Sequence, residues 1–539
     1  MMKENRTSCL LAPFLFLTVA LAAGCARPIP EDSRPNIVLM VADDLGFSDL
    51  GSYGGEIHTP NLDRLATEGL RFSQFYNNAI CDKSRASLLS GLYSQQVGGP
   101  RMKNSVTLAE VLRSSGYRTL MTGKWHLDKT PLERGFDRYF GLLDGTCNCF
   151  NPGEQRPDEP APGVKSTGSL ARFAIDDRVI HPFTPEDRNF YTTDTFTDYA
   201  LDYLDEYGRE ERPFFLYIAH NVPHYPLHAW PQDITRYRGR YKAGWDELRG
   251  QRLRRMVQMG LIRPESGPST RSPHAPAWDQ IEDQDAWDLK MAVYAAMVDR
   301  MDQNIGRVLE KIQQLGKERN TLVLFLSDNG PSDEYRTSTP EIPPGPVESY
   351  RTVDLPWANL SNTPFRQFKR WNHEGGISTP LIAYWPDGIK NRGSINHEIS
   401  HLIDIMATVI EIADTEYPST YDGHKVTPLE GRSLAPTFQG DKRPGHDALF
   451  WNQQGLWRAV RMGNWKLVSP DYSIQYNPWR ADRIGRDLED PPTDPYSLWE
   501  LYDLEADRTE QTNLAEKYPD RVREMIEMYE AWEKRVRVE

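Results

Sequence analysis

Asn36–Ala42 (NIVLMVA) runs without interruption into Asp43-Asp44-Leu45-Gly46. A short run with apolar residues on both alternating faces is the pattern of a strand buried on both sides, as in a parallel or mixed sheet. Its end in two carboxylates sits where open α/β sheets hold ligands, at the carboxyl end of a strand. Outward from there, Tyr117–Met121, Phe214–Ile218 and Thr321–Leu326 read as further strands. Residues 286–315 read as a long helix, with Leu289, Val293, Met297, Met301, Ile305, Val308 and Ile312 at helical spacing. Thr59-Pro60 reads as a helix start, with Leu62, Leu65 and Ala66 facing inward. Strands alternating with helices predict an α/β layered domain over 35–445.

The pattern changes after about residue 446. Ala448–Trp451, Arg458–Met462, Trp465–Ser469 and Trp499–Asp503 read as short strands, and 519–536 as an amphipathic helix. A smaller C-terminal α+β subdomain, antiparallel sheet plus helix, is expected over 446–539. Asn151–Asp187, Pro231–Trp278 and Pro331–Asn359 read as irregular, and loops of that length are commonly functional. At the other end, residues 1–25 read as a signal peptide with Lys3, Arg6 and the apolar stretch Leu10–Ala23. Ala22-Ala23-Gly24-Cys25 reads as a lipoprotein cleavage site, with Cys25 as the lipidated residue and ordinary signal cleavage as the alternative. Residues 26–34 form a tether. The expectation is an exported bacterial protein, periplasmic or an outer-membrane lipoprotein, touching the membrane only through an N-terminal lipid anchor.

Composition excludes several classes. The 539 residues carry a formal charge of −14, which disfavours phosphate-backbone contact and predicts no nucleic-acid partner. Charged residues at 26% and aromatics at 11% exclude a low-complexity chain, and five cysteines exclude a disulfide scaffold.

Three motifs carry chemistry. Asp43-Asp44 repel each other unless they are solvated or a hard cation lies between them. Phe325-Leu326-Ser327-Asp328-Asn329-Gly330 is a second strand end presenting oxygens, so the two together could build one Ca²⁺ or Mg²⁺ site. Ile80-Cys81-Asp82-Lys83-Ser84-Arg85 places a cysteine at an apparent helix start with an arginine four residues on, a setting that favours an anion. Taken alone, a single cysteine is more often buried and inert.

Cys81, Ser84-Arg85 and the following Leu88-Leu89-Ser90-Gly91 resemble the signature of the type I, formylglycine-dependent sulfatases of the alkaline-phosphatase superfamily. The family's other elements follow in order: Pro35-Asn36-Ile37 with Asp43-Asp44, Thr59-Pro60-Asn61-Leu62-Asp63-Arg64-Leu65 and Gly123-Lys124-Trp125-His126. Then come Pro223-His224-Tyr225-Pro226, Ser327-Asp328-Asn329-Gly330, Lys369 before His373-Glu374-Gly375-Gly376-Ile377, and Leu501-Tyr502-Asp503-Leu504. The resemblance implies an alkaline-phosphatase-like large mixed β-sheet sandwiched by helices.

By resemblance, Cys81 is oxidised to formylglycine by a formylglycine-generating maturation enzyme. Its hydrated diol is then the nucleophile on a sulfate ester. Asp43, Asp44, Asp328 and Asn329, with residue 81, match the metal ligands, with Ca²⁺ the usual ion and Mg²⁺ the alternative. Arg85 matches the residue holding the diol, and Lys124 and Lys369 match the sulfate-binding lysines. His126 matches the base, and His224 the acid near the leaving oxygen. His220, His228 and His373 are candidate supporting residues, with His373 and His228 also candidate substrate contacts. The segment departs from the family at Lys83, where proline or alanine is usual. This leaves open a homologue that binds glycans without converting Cys81. A phosphomonoester, phosphodiester or phosphonate hydrolase on the same scaffold is the other alternative. The expected substrate is a small-molecule or glycan sulfate ester, releasing an alcohol, sugar or phenol.

Two features stand outside the motifs. Arg236, Arg238, Arg240, Lys242, Arg249, Arg252, Arg254 and Arg255 crowd one stretch, readable as a solvated basic helix or as a surface for a sulfated polyanion. Cys147 and Cys149 are readable as a metal pair, a redox pair or two ordinary thiols; a bridge between them would be strained.

Overall fold

Strand β1 (Asn36–Asp43) is buried along its whole length in the computed structural model. The structure describes Met1 and residues 32–453, 457–469 and 499–537. Side chains alternate across a strand, and β1 feeds two cores in that way. Val38, Met40 and Ala42 join one core with the helices Pro60–Glu68, Thr192–Tyr207 and Gln284–Gln314. Ile37, Leu39 and Val41 join the other with Cys81–Ser90, Leu108–Ser114 and Ile403–Ile412.

Further strands are β2 (Leu70–Tyr76), β3 (Arg118–Gly123), β4 (Arg138–Leu142), β5 (Phe173–Ile175) and β6 (Arg178–Ile180). They are followed by β7 (Phe214–Pro223), β8 (Thr321–Ser327), β9 (Ser378–Tyr384), β10 (Ser394–Asn396) and β11 (Ser400–His401). Their order is β10-β2-β9-β8-β1-β7-β3-β4-β5-β6, with β11 also pairing β2. β8, β1, β7, β3 and β4 are mutually parallel, while β9 runs antiparallel to β2 and β8. Ala42 lies beside Ser327, and Gly123 beside Ala219. The carboxyl ends of β1, β8, β7 and β3 are therefore neighbours.

A hairpin of β12 (Thr420–Tyr421) and β13 (His424–Lys425) precedes the second sheet. That sheet is antiparallel: β14 (Leu449–Gln453), β15 (Trp457–Met462), β16 (Trp465–Ser469) and β17 (Glu500–Asp503). The helix Pro519–Val536 contributes Met525, Ile526, Tyr529 and Trp532 to its core, which also takes in Tyr76, Ala79, Ile377 and Ile403 of the main body. The α/β architecture with a large mixed sheet and a C-terminal antiparallel subdomain is as expected.

The stretch 231–278 is not irregular. It contains the helices Pro231–Thr235 and Gly244–Met259. The second buries Arg249 and Arg252 alongside Trp245, Leu248 and Met256, so two positions of its inner face read as polar in the sequence. Of the third stretch, Leu355–Ser361 is also helical.

The expected polyanion surface is neutralised from within. Arg252 meets Asp49 and Glu56, both at 2.7 Å, and Arg249 donates to the Ser269 carbonyl at 2.8 Å. Arg236, Arg238, Lys242, Arg254 and Arg255 pair with Asp299, Asp288, Asp285, Glu247 and Glu56. Arg240 lies over the Tyr237 ring.

The signal peptide and most of the tether lie outside the described residues. Among the described residues, no helix is long and apolar enough to cross a membrane.

Candidate active site

Four parallel strand ends build one polar cluster. β1 delivers Asp43 and Asp44, and Asp44 turns out of the strand at φ +66°. β8 delivers Asp328 and Asn329 one step beyond Ser327. β7 delivers His224 directly after Pro223. β3 ends at Gly123, whose φ of +99° and closeness to the Ala219 carbonyl leave no room for a side chain as the chain bends into Lys124. A Cβ there would sit 2.0 Å from that oxygen. Lys369 joins from the loop before the helical turn Glu374–Ile377.

Charge is balanced inside this cluster. Lys124 Nζ lies 2.6 Å from Asp43 Oδ2, and Lys369 Nζ 2.7 Å from Asp44 Oδ1. Arg85 reaches Asp328 Oδ2 through Nε at 3.0 Å and through a second nitrogen at 2.8 Å, and donates to the Lys124 carbonyl at 2.8 Å. Three carboxylates thus meet three cations. Burial works against the Asp43 carboxylate, but Lys124, His224, Arg85 and Lys369 outweigh it and hold the carboxyl below its usual range. Burial and Asp43 push Asp328 up to about 6 against the pull of Arg85 and Lys124.

Each aspartate of the first pair spends one oxygen on a lysine. Asp43 Oδ1, Asp44 Oδ2 and Asn329 Oδ1 are buried oxygens with no hydrogen-bond partner. Asn329 is oriented by its amide nitrogen, which donates to Asp44 Oδ1 at 2.6 Å and to the Gly330 carbonyl at 2.8 Å. Buried acceptors are rarely left unmatched. Three hard oxygens from two strand ends are the donor chemistry of Ca²⁺ or Mg²⁺, so the residues fit such an ion. His224 Nε2 and one oxygen from each of Asp43 and Asp44 also lie within 4.8 Å of one another.

Cys81 opens the helix Cys81–Ser90 and is only 6% exposed. Burial pushes its thiol up to about 11 even though Lys124 and Lys369 favour the thiolate. Lys83 lies in the same first turn, its pKa lowered by burial against Asp82.

The histidines separate by contact. His224 Nδ1 is 2.6 Å from the Tyr225 carbonyl, and Nε2 is 3.6 Å from Asp44 Oδ2. A carbonyl only accepts, so Nδ1 carries a proton and Nε2 faces the cluster. Burial lowers its pKa, with Asp44 and Asp43 opposing. His126 has φ +56° and an unpartnered Nδ1; burial, then Lys124 and Arg85, hold it well below its usual range, in the neutral form. His373 turns one ring nitrogen toward the second sheet. Its Nε2 lies 2.8 Å from Glu500 of β17, so the ring joins the two sheets. His228 is likewise spent, accepting from the Cys149 amide at 3.1 Å and bonding the Ser349 carbonyl at 2.7 Å. His220 is buried with neither ring nitrogen partnered. Cys147 and Cys149 are buried free thiols, and Asn221 donates to both.

Sequence reasoning missed two groups. Glu334 is ringed by Arg370 (the residue after Lys369) at 2.8 Å, Arg336 at 2.9 Å and the Tyr225 hydroxyl at 3.2 Å. Glu374 is buried between Lys466 at 3.0 Å and Arg508 at 2.8 Å, and its amide donates to Glu510 at 2.8 Å. Neither group lies at a recognisable spacing; only Glu374 sits in a motif, and its partners come from the second sheet.

Comparison with known proteins identifies the family. Residues 35–415 match the Sulfatase family model, and 365–534 match the N-sulphoglucosamine sulphohydrolase C-terminal model. An uncharacterized sulfatase of Schizosaccharomyces pombe is 33% identical, covering 93% of this chain and 94% of that one. The arylsulfatase of Klebsiella aerogenes is 31% identical over 77% of this chain and 94% of its own. The crystal structure of Ps i-CgsB in complex with k-i-k-neocarrahexaose shares the fold at 24% identity, with a TM-score of 0.64 over 93% of this chain and 92% of that one. Matched by the Sulfatase family model over residues 35–415 and by these relatives over most of its length, the chain belongs to the sulfatase family and is an enzyme of sulfate-ester hydrolysis.

Proposed function

We propose that the chain releases sulfate from an alcohol, sugar or phenol, using a formylglycine derived from Cys81 and a Ca²⁺ or Mg²⁺ ion held by Asp43, Asp44, Asp328 and Asn329. The observation carrying this reading is the set of three unpartnered buried oxygens beside Cys81 and its two lysines. When present, the diol of formylglycine and the ion supply an oxygen nucleophile of lowered pKa and a Lewis acid.

The chain's own residues then have separable tasks. Lys124 and Lys369 hold the sulfate oxygens, and their charge counts most where negative charge grows in the transition state. Arg85 fixes Asp328 and the Lys124 backbone in one bidentate grip. His224 Nε2 donates a proton to the leaving oxygen, with Nδ1 anchored on the Tyr225 carbonyl. His126, held neutral, accepts a proton during sulfate release. Export and lipid attachment at Cys25 belong to the same proposal, supported by Lys3, Arg6, the apolar stretch and Ala22-Ala23-Gly24-Cys25.

Two measurements test it. Intact mass of the peptide carrying residue 81, from the native host, should show the aldehyde or its hydrate; an unmodified thiol throughout refutes the nucleophile and favours the glycan-binding alternative that Lys83 raises. Parallel turnover of nitrophenyl sulfate and nitrophenyl phosphate, with and without chelator, should favour the sulfate and be lost on chelation. Preference for the phosphate would move the chain to the phosphohydrolase alternative.

A further inference from the structure

A second basic site lies apart from the cluster. A cavity of about 620 Å³ is bounded by the segment 101–105, the loop after His126 and the β12–β13 hairpin, within the volume range of roughly 300–1,000 Å³ typical of ligand pockets. Its buried Arg134–Glu110 pair, at 3.0 Å, cancels internally. What remains is Arg101, Lys103, Lys129 and Lys425 against Glu133 and Asp422. Among the described residues, none of these four cations forms an ion pair, whereas seven of the eight in the basic run at 236–255 are satisfied by carboxylates or a carbonyl. Four cations converge from three separate stretches of an acidic chain against two carboxylates, which leaves a net positive local field.

The hairpin adds a different chemistry. Tyr421 is 37% exposed, one of the exposed large hydrophobic side chains of the described residues. It pairs across the hairpin with His424, and Thr420 with Lys425. Asp422 at φ +47° and Gly423 at φ +75° form the two-residue turn with both central residues left-handed, the tight turn that matches strand twist. The aromatic face and Lys425 are therefore presented on a short, stiff element. An aromatic face among unpaired cations suits a sugar ring that carries anionic groups.

The loop links this cavity to the chemistry. Lys124 and His126 serve the cluster, and Lys129 lines the cavity. The Trp125 indole donates to the Lys129 carbonyl at 2.7 Å, which closes the loop on itself. Lys129 is three positions after His126, so their backbones are at most ~11 Å apart.

We infer that this cavity is a second anion subsite, and that the substrate is a polysulfated oligosaccharide with one sulfate ester at Cys81 and another anionic group held by Lys103, Lys129, Lys425 and Tyr421. This rests on the sulfate-ester reading for its first half only; the subsite itself is testable without turnover.

The test titrates the full chain with dextran sulfate at low and moderate salt and measures nitrophenyl sulfate turnover in parallel. Lys103→Glu/Lys425→Glu should weaken dextran sulfate binding about tenfold or more and flatten its salt dependence, with nitrophenyl sulfate turnover within twofold of the parent. Tyr421→Ala should weaken binding while leaving the salt dependence unchanged. Binding by both variants within twofold of the parent, or a loss produced instead by Arg240→Glu alone, overturns the inference. Failure of the parent to turn over nitrophenyl sulfate while binding dextran sulfate refutes the proposed chemistry and not the subsite.

Discussion

Replacing Arg85 with methionine keeps most of the side-chain volume and removes three bonds at once. The Asp328 carboxylate loses contacts at 3.0 and 2.8 Å, and the Lys124 carbonyl loses one at 2.8 Å. Arg85 is fully buried and Asp328 is 1% exposed, so solvent does not replace what is lost. Breaking a buried pair by removing one partner costs about 3–5 kcal/mol. A unit of ~500 residues unfolds with an entropy near ~1 kcal/mol/K, so the midpoint should fall by ~3–5 °C. The assay is thermal unfolding at pH 7 in chelator, read by near-ultraviolet circular dichroism. Asp328→Leu/Arg85→Met removes both charges, and should recover at least half of the loss because no lone charge stays buried. A single variant within 1 °C of the parent, or a double variant whose loss equals the sum of the two singles, would refute the view that these groups act as one buried ion pair.

Three further outcomes are expected. Lys369→Met should lower kcat on nitrophenyl sulfate by roughly 10²–10³, the range for loss of one transition-state charge contact, with a smaller change in KM. The Glu500 carboxyl is raised by burial but pulled down further by His373, to about 2. It therefore adds stability above its unfolded value of 4.5, and that stability is lost as pH falls toward about 2; urea unfolding at pH 7 and pH 3 should show a smaller difference in Glu500→Gln than in the parent. If Cys81 is left unconverted in a recombinant host, its pKa of about 11 leaves only on the order of 10⁻⁴ as thiolate at pH 7. The native chain should then resist iodoacetamide, and mass spectrometry should find labelling at Cys81, Cys147 and Cys149 only after denaturation.

Much of the fold could be read from residues 36–44 and their kind. Apolar runs of strand length are legible because both faces of this sheet are covered, so every residue must be apolar. The helix Gly244–Met259 was legible only as a solvated basic helix; its inner face was not, because Arg249 and Arg252 occupy it and find a carbonyl and carboxylates outside the helix. The strand-end oxygens were legible because they are adjacent pairs at the ends of apolar runs. The ring around Glu334 was not, since Arg336, Arg370 and Tyr225 share no spacing and meet only once the strands are laid side by side. His373 was legible as a motif residue but its partner was not: Glu500 of the second sheet meets its Nε2 from 127 positions away.

The docking of the second sheet has a consequence for when this enzyme can work. The segment carrying Lys369 runs into His373 and Glu374, and these are gripped by Glu500, Lys466, Arg508 and Glu510. Glu374 and Glu510 are 136 positions apart. During synthesis the carboxylates, Cys81, Lys124 and His224 are all made long before those anchors exist. Until β17 and the residues after it have been added, Glu374 has Lys466 but lacks Arg508, its amide lacks Glu510, and the Lys369 loop has little to settle against. The order of synthesis thus sets a delay: the loop that sets Lys369 against Asp44 settles last, so a growing chain completes this polar cluster only when its second sheet closes.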